Sequence, residues 1–133
     1  MRRVLLAALA VGLLGWAGLA TAADAPTFKR TEDVIYGRKN GTALTMDVFT
    51  PTKSANGAAV VVVVSGGWVS SHDTISPALV GAYLDKGYTA LAVVHGSQPR
   101  YAIPDALGDL HRAVRFIRTN AKEYGIDPEC LPD

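Results

Sequence analysis

The sequence predicts an α/β fold built on a parallel strand–helix–strand unit. Three observations point to it. Ala58 to Val64 is an unbroken apolar run containing five consecutive valines, as expected of a strand covered on both faces. Thr89 to Val94 is a second such run. The segment between them, and the one after Thr89–Val94, carry helical spacing and helix start and stop signals. Strand, helix and parallel strand in that order imply a right-handed crossover.

Taken in order, the elements begin with a hairpin. Asp33–Arg38 and Leu44–Phe49 flank Lys39-Asn40-Gly41, and Asn-Gly is a strong two-residue turn signal. In the second strand Leu44, Met46 and Val48 alternate with Thr45, Asp47 and Phe49, which predicts one buried face. Pro51–Gly57 is rich in turn formers and leads into the valine run, which stops at Ser65-Gly66-Gly67-Trp68. Ser76-Pro77 reads as a helix start, with Leu79, Val80, Tyr83 and Leu84 as the apolar stripe and Gly87 as the stop. Thr89–Val94 ends in His95-Gly96. Pro104-Asp105 starts the last helix, whose stripe is Leu107, Leu110, Val114, Ile117, Ala121 and Tyr124. Arg112, Arg115, Arg118 and Lys122 face away from that stripe, and Gly125 closes the helix.

Composition places these elements in an exported chain. Residues 1–22 combine Arg2-Arg3, an uncharged apolar run from Val4 to Ala20, and Ala20-Thr21-Ala22 at a signal-peptidase spacing,. A signal peptide cleaved after Ala22 is therefore expected, with a polar lead-in over 23–31 and one domain over 32–133. The product is expected to be periplasmic or extracellular, without stable membrane association once the signal is removed. Thirteen Lys and Arg face twelve Asp and Glu, a balance that argues against a nucleic-acid partner. Cys130 is the only cysteine, so no internal disulfide can form.

The segment richest in chemical signals is Ser65-Gly66-Gly67-Trp68, at the carboxyl end of the valine strand, where open α/β sheets gather their ligand sites. Paired glycines allow a sharp turn and leave N–H groups unobstructed, as a developing oxyanion requires. Neither a dinucleotide fingerprint nor a P-loop is present. His72, His95 and His111 lack metal-ligand spacing, so neither metal nor cofactor is expected. Ser70-Ser71-His72-Asp73 holds the three residue types of a catalytic triad, but neighbours on one loop do not converge as a triad must; the run reads as a solvated loop. His95 reads as a hydrogen-bonded structural residue at the edge of the site, and Asp105 and Asp109 as stabilisers of a helix start.

From about Asp33 to Glu129 the chain resembles the α/β-hydrolase superfamily. The likeness is to its esterase/lipase branch, with hormone-sensitive-lipase-like and feruloyl-esterase-like members. Val64-Ser65-Gly66-Gly67-Trp68 stands where that branch has H-G-G-G-W. Asp85–Val94 matches its helix-to-strand passage. Pro104–Asp109, Ala113–Ile117 and Asn120–Pro128 match the segment before its nucleophile. The resemblance implies a truncated α/β-hydrolase fold, an N-terminal hairpin plus parallel βαβα, lacking the nucleophile strand and all that follows. No G-x-S-x-G occurs in the 133 residues,. Where the family has histidine and its first glycine, this chain has Val64 and Ser65.

The resemblance further implies an N-terminal fragment of an exported carboxylic-ester hydrolase. Gly66 and Gly67 would supply the oxyanion hole, and Ser65, Trp68, His95 and Tyr101 would line a pocket. Nucleophile, acid and base would all lie beyond Asp133. The full-length substrate would be a small-molecule or polysaccharide-linked ester, and the fragment alone would be inactive. The alternative is a non-catalytic exported binding module, or a decayed fragment, using the Gly66-Gly67-Trp68 loop. In the family's strand order Val60–Val64 would lack a neighbour, so self-association through that edge is expected.

Overall fold

The computed structural model describes residues 26–130. The export segment expected over residues 1–22, with its cleavage after Ala22, lies outside them. Four strands form one sheet: β1 (Phe28–Lys39), β2 (Thr42–Pro51), β3 (Ala59–Val64) and β4 (Thr89–Val94). Their order across the sheet is β1-β2-β4-β3. β1 and β2 are antiparallel, β2 and β4 antiparallel, and β3 and β4 parallel. Two helices, α1 (Pro77–Leu84) and α2 (Ile103–Thr119), pack on the sheet.

The hairpin turn forms as its sequence requires, with Asn40 at φ 47° and Gly41 at φ 76°, the paired left-handed residues of a type I′ turn. β1 starts earlier than expected, inside the segment read as a polar lead-in. Contacts across the hairpin explain the extension. Phe28 packs on Phe49 with ring centroids 5.8 Å apart, and Arg30 pairs with Asp47 at 2.6 Å. An edge strand built from such alternating contacts shows little apolar periodicity in sequence.

β2 is buried on both faces from Met46 to Phe49, not on one. Leu44, Met46 and Val48 join Leu91, Val93, Ala113 and Ile117 in one core layer. Phe49 joins Val80, Leu84, Ala90 and Ala92 in the other. β4 is the strand between these layers, buried from Thr89 to Val93. β3 departs from the expectation of a strand covered on both sides: most of it is half-buried and Val63 is 45% exposed. Among the described residues it lies at the edge of the sheet, where Ala59 and Val61 pack against one core layer and Val62 against the other.

Ser76 precedes α1 with Pro77 in its first turn, and Gly87 follows at φ 83°. A Cβ on Gly87 would overlap the Ser54 carbonyl oxygen, so glycine is required there on two counts. Only half of the expected α1 stripe is buried: Val80 and Leu84 are, while Leu79 and Tyr83 are exposed. α2 stops at Thr119, and a 3-10 turn over Ala121–Tyr124 continues the chain to Gly125 at φ 67°. Its buried line runs through Asp109, Ala113, Ile117, Ala121 and Tyr124. Leu107, expected in that line, is exposed, because Asp109 rather than Leu107 turns toward the sheet at this end.

Candidate functional site

Two loops meet at the carboxyl ends of β3 and β4. The first, after β3, makes an unusually tight turn. The Gly66 N–H donates to the Val69 carbonyl at 2.9 Å, and the Val69 N–H donates back to Gly66 at 3.0 Å. Gly67 at φ 56° and Trp68 at φ 70° occupy the two central positions, so the segment is a miniature type I′ hairpin. A tryptophan in the left-handed region is disfavoured by its Cβ. The glycine pair explains the sharpness of the turn, as expected from the sequence.

The two glycine amides expected to act as oxyanion donors differ in their partners. The Gly66 N–H is committed to Val69, whereas that of Gly67 makes no hydrogen bond among the described residues. Gly66 and Gly67 both have open space where a Cβ would stand, so nothing crowds the turn.

Ser65, Trp68, His95 and Tyr101, widely spaced in sequence, line one cleft of about 180 Å³. Gln98, Ile103 and Ala106 also line it; they lie on the loop after β4 and the start of α2, and no sequence motif distinguishes them. Trp68 is 66% exposed. Tyr101 is buried, with its hydroxyl 3.3 Å from both the Lys39 carbonyl and Thr42 Oγ1 and the Lys39 ammonium 4.2 Å from its ring centroid. Such a cation over an aromatic face fixes the ring.

The floor of the cleft is held by polar ties. His95 Nδ1 is 2.8 Å from the Gly96 carbonyl, and the His95 N–H donates to Ser70 Oγ at 3.1 Å. Ser70 in turn donates to the Val64 carbonyl, so one hydroxyl links the ends of β3 and β4. Asp109 is buried, accepts from the Gly96 N–H at 3.0 Å and pairs with Lys39 at 2.7 Å. Its role exceeds helix stabilisation, since it anchors the loop that carries His95. Asp105 acts as expected: its carboxylate accepts the Ala102 N–H at 2.9 Å, closing the start of α2.

The Ser70-Ser71-His72-Asp73 run does not assemble a triad. Ser71 caps the 3-10 turn over His72–Thr74, while His72 turns away to Asp47, 2.9 Å from its Nε2. The solvated-loop reading therefore fails for Ser70 and His72, both partly buried and bonded to the sheet. Asp47 is fully buried and accepts from Arg30, His72 and the Asp33 N–H. Burial pushes its carboxyl up, but the hydrogen bonds from Arg30, Asp33 and His72 outweigh that and hold it below its ordinary value of 3.8,. Asp33, Asp47 and His72 place their ligating atoms within 4.8 Å of one another. This grouping draws on β1, β2 and a loop, so sequence spacing could not reveal it. Both Asp47 oxygens are already used as acceptors, and the three residues form a hydrogen-bonded cluster.

The comparisons with known proteins bear on this arrangement. Residues 46–131 match the BD-FAE family model. The chain belongs to the BD-FAE family. Esterase LipQ of Mycobacterium tuberculosis is 27% identical over 106 residues, which are 77% of this chain and 25% of that protein. An arylesterase structure superposes with a TM-score of 0.59 at 25% identity, over 77% of this chain and 34% of its own. A bifunctional GH43-CE protein of Bacteroides eggerthii gives 0.63 at 27%, over 75% and 14%. A truncated carbohydrate esterase from gut microbiota gives 0.62 at 23%, over 77% and 37%, a likeness of fold. The chain thus spans a quarter of the curated relative and corresponds to one part of an α/β-hydrolase esterase fold.

Proposed function

We propose that the chain is the N-terminal part of an exported, serine-dependent carboxylic-ester hydrolase, to which it contributes one wall of the substrate cleft and part of the oxyanion hole. The observation that carries this reading is the convergence of Ser65, Trp68, His95 and Tyr101 on a single cleft at the carboxyl ends of β3 and β4, the end where α/β sheets place their chemistry. In the complete enzyme, a serine activated by histidine attacks the ester carbonyl and water releases the acyl group. The Gly67 amide holds the developing oxyanion, and Gly66 joins it once its bond to Val69 opens. The apolar run over residues 4–20 supports export.

As it stands, the chain supplies a binding wall without a nucleophile. The test is hydrolysis of a short-chain nitrophenyl ester by the purified 133-residue protein. Release no faster than in buffer is expected. Turnover abolished by Ser70→Ala or Ser71→Ala would instead place a working nucleophile on the loop after β3 and overturn the proposal.

A further inference from the structure

Asp47 is a charged group in an apolar place. It stands on β2 between Met46 and Val48, where every residue from Met46 to Phe49 is buried, and taking a carboxylate out of water costs free energy. A buried charge with partners is weak evidence of stabilisation; what distinguishes Asp47 is the set of elements it joins. Arg30 donates to its Oδ2 from Nε at 2.8 Å and from Nη2 at 2.6 Å, and the Asp33 N–H donates to Oδ1 at 3.1 Å. These three bonds come from β1 and fix the carboxylate. The fourth comes from the loop after β3, where His72 Nε2 lies 2.9 Å from Oδ1. A carboxylate only accepts, so Nε2 carries the hydrogen. Asp33 Oδ1 stands 3.5 Å from the same nitrogen.

His72 follows closely on the turn from Gly66 to Val69. Ser70 ties that turn to the ends of β3 and β4, and the Gln98 N–H donates to the Trp68 carbonyl at 3.3 Å. His72 adds a tie in another direction, to β2. The segment between is stiff enough to transmit it. The Ile75 N–H donates to the His72 carbonyl at 2.9 Å, Thr74 Oγ1 donates to the Ser71 carbonyl at 2.8 Å, and Ser71 Oγ accepts the Asp73 N–H at 3.3 Å. We infer that His72, held by Asp47, is a positioning residue for the Gly66-Gly67 turn and sets how readily the Gly66 N–H is released from the Val69 carbonyl. The inference rests on the reading of that turn as part of an oxyanion hole, whose donors must be in place before charge develops. Arg30 acts one step further back, through Asp47.

The test is amide hydrogen exchange, read residue by residue by nuclear magnetic resonance, on the full chain in native, His72→Ala and His72→Gln forms. In His72→Ala the Gly66 and Val69 amides are expected to exchange on the order of tenfold faster relative to those of β4, because a hydrogen bond to a charged group is lost locally. His72→Gln puts an amide nitrogen in place of the ring Nε2 and should restore the native rates. A side chain that served stability alone would speed the turn and β4 by the same factor, and that result overturns the inference. So do native rates at Gly66 and Val69 in His72→Ala, or no recovery in His72→Gln. Should His72→Ala fail to fold, the nitrogen-15 shifts of the neutral imidazole in the native chain decide. A hydrogen fixed on Nε2 is expected; a hydrogen on Nδ1, or averaging between the two nitrogens, overturns the tie. No ester enters these measurements, so their failure leaves the hydrolase reading standing. Ester turnover abolished by Ser70→Ala or Ser71→Ala would instead remove that reading and leave the His72 tie in place.

Discussion

β4 and β3 are neighbouring parallel strands, both predominantly apolar, yet one is buried along nearly its whole length and the other is half-exposed. β4 has a strand on each side and core layers above and below it. Among the described residues β3 has one neighbour, and Val63 is left exposed. Apolar sequence states how a strand is meant to be buried; the elements around it decide how much burial it receives. A similar contrast divides the faces of the helices: Val80, Leu84, Ala113 and Ile117 are buried, while Leu79, Tyr83, Ile103 and Leu107 remain exposed.

Substitutions in the two regions should differ accordingly, and the largest effect is expected in the closed one. Leu91→Ala removes a fully buried side chain and should cost about 3 kcal/mol in urea denaturation. Val63→Ala at the edge should cost about 0.5 kcal/mol, because much of that side chain already meets water. Equal losses would erase the distinction between the strands.

Asp47→Ala should cost about 3 kcal/mol, because it leaves Arg30 and His72 without their shared partner. Its pH dependence sharpens the test. The folded carboxyl titrates below 3.8, so its contribution is complete above the unfolded value and lost as pH falls through the folded one. Stability of the native chain should therefore decline below about pH 4, and Asp47→Asn should flatten that decline. An unchanged acid slope in Asp47→Asn would show that the network does not govern it.

Smaller effects are expected at the loop after β3. Ser70→Ala breaks the link between the ends of β3 and β4 and should cost about 1.5 kcal/mol. Trp68→Gly should stabilise by about 0.5 kcal/mol, since it relieves a left-handed tryptophan with little packing to lose. A loss of stability in Trp68→Gly would mean that the indole packs more firmly than its exposure indicates.

Much of this was legible in the sequence because it rests on local signals. The Asn40-Gly41 turn, the valine run and the Ser76-Pro77 helix start each encode their conformation in adjacent residues. Ser65, Trp68, His95 and Tyr101 follow strands whose ends meet, so chain order alone brings them near one another. What escaped depends on distant partners. The start of β1 at Phe28 needs Phe49 and Asp47, the burial of Asp109 needs Lys39 and Gly96, and the His72–Asp47 tie crosses 25 positions. The exposure of Leu107 follows from which face of α2 the sheet selects, and helical periodicity alone does not resolve a shift of one residue. The Gly66–Val69 bond escaped for a different reason: paired glycines permit a hairpin and an open loop alike.

The central contrast, a β4 paired on both sides and a β3 paired on one side among the described residues, is tested most directly by amide hydrogen exchange on the dilute protein. The account predicts that β4 amides exchange only through global unfolding, while the β3 amides directed away from β4 exchange orders of magnitude faster. Protection of those β3 amides equal to that of β4 in a monomer would contradict it.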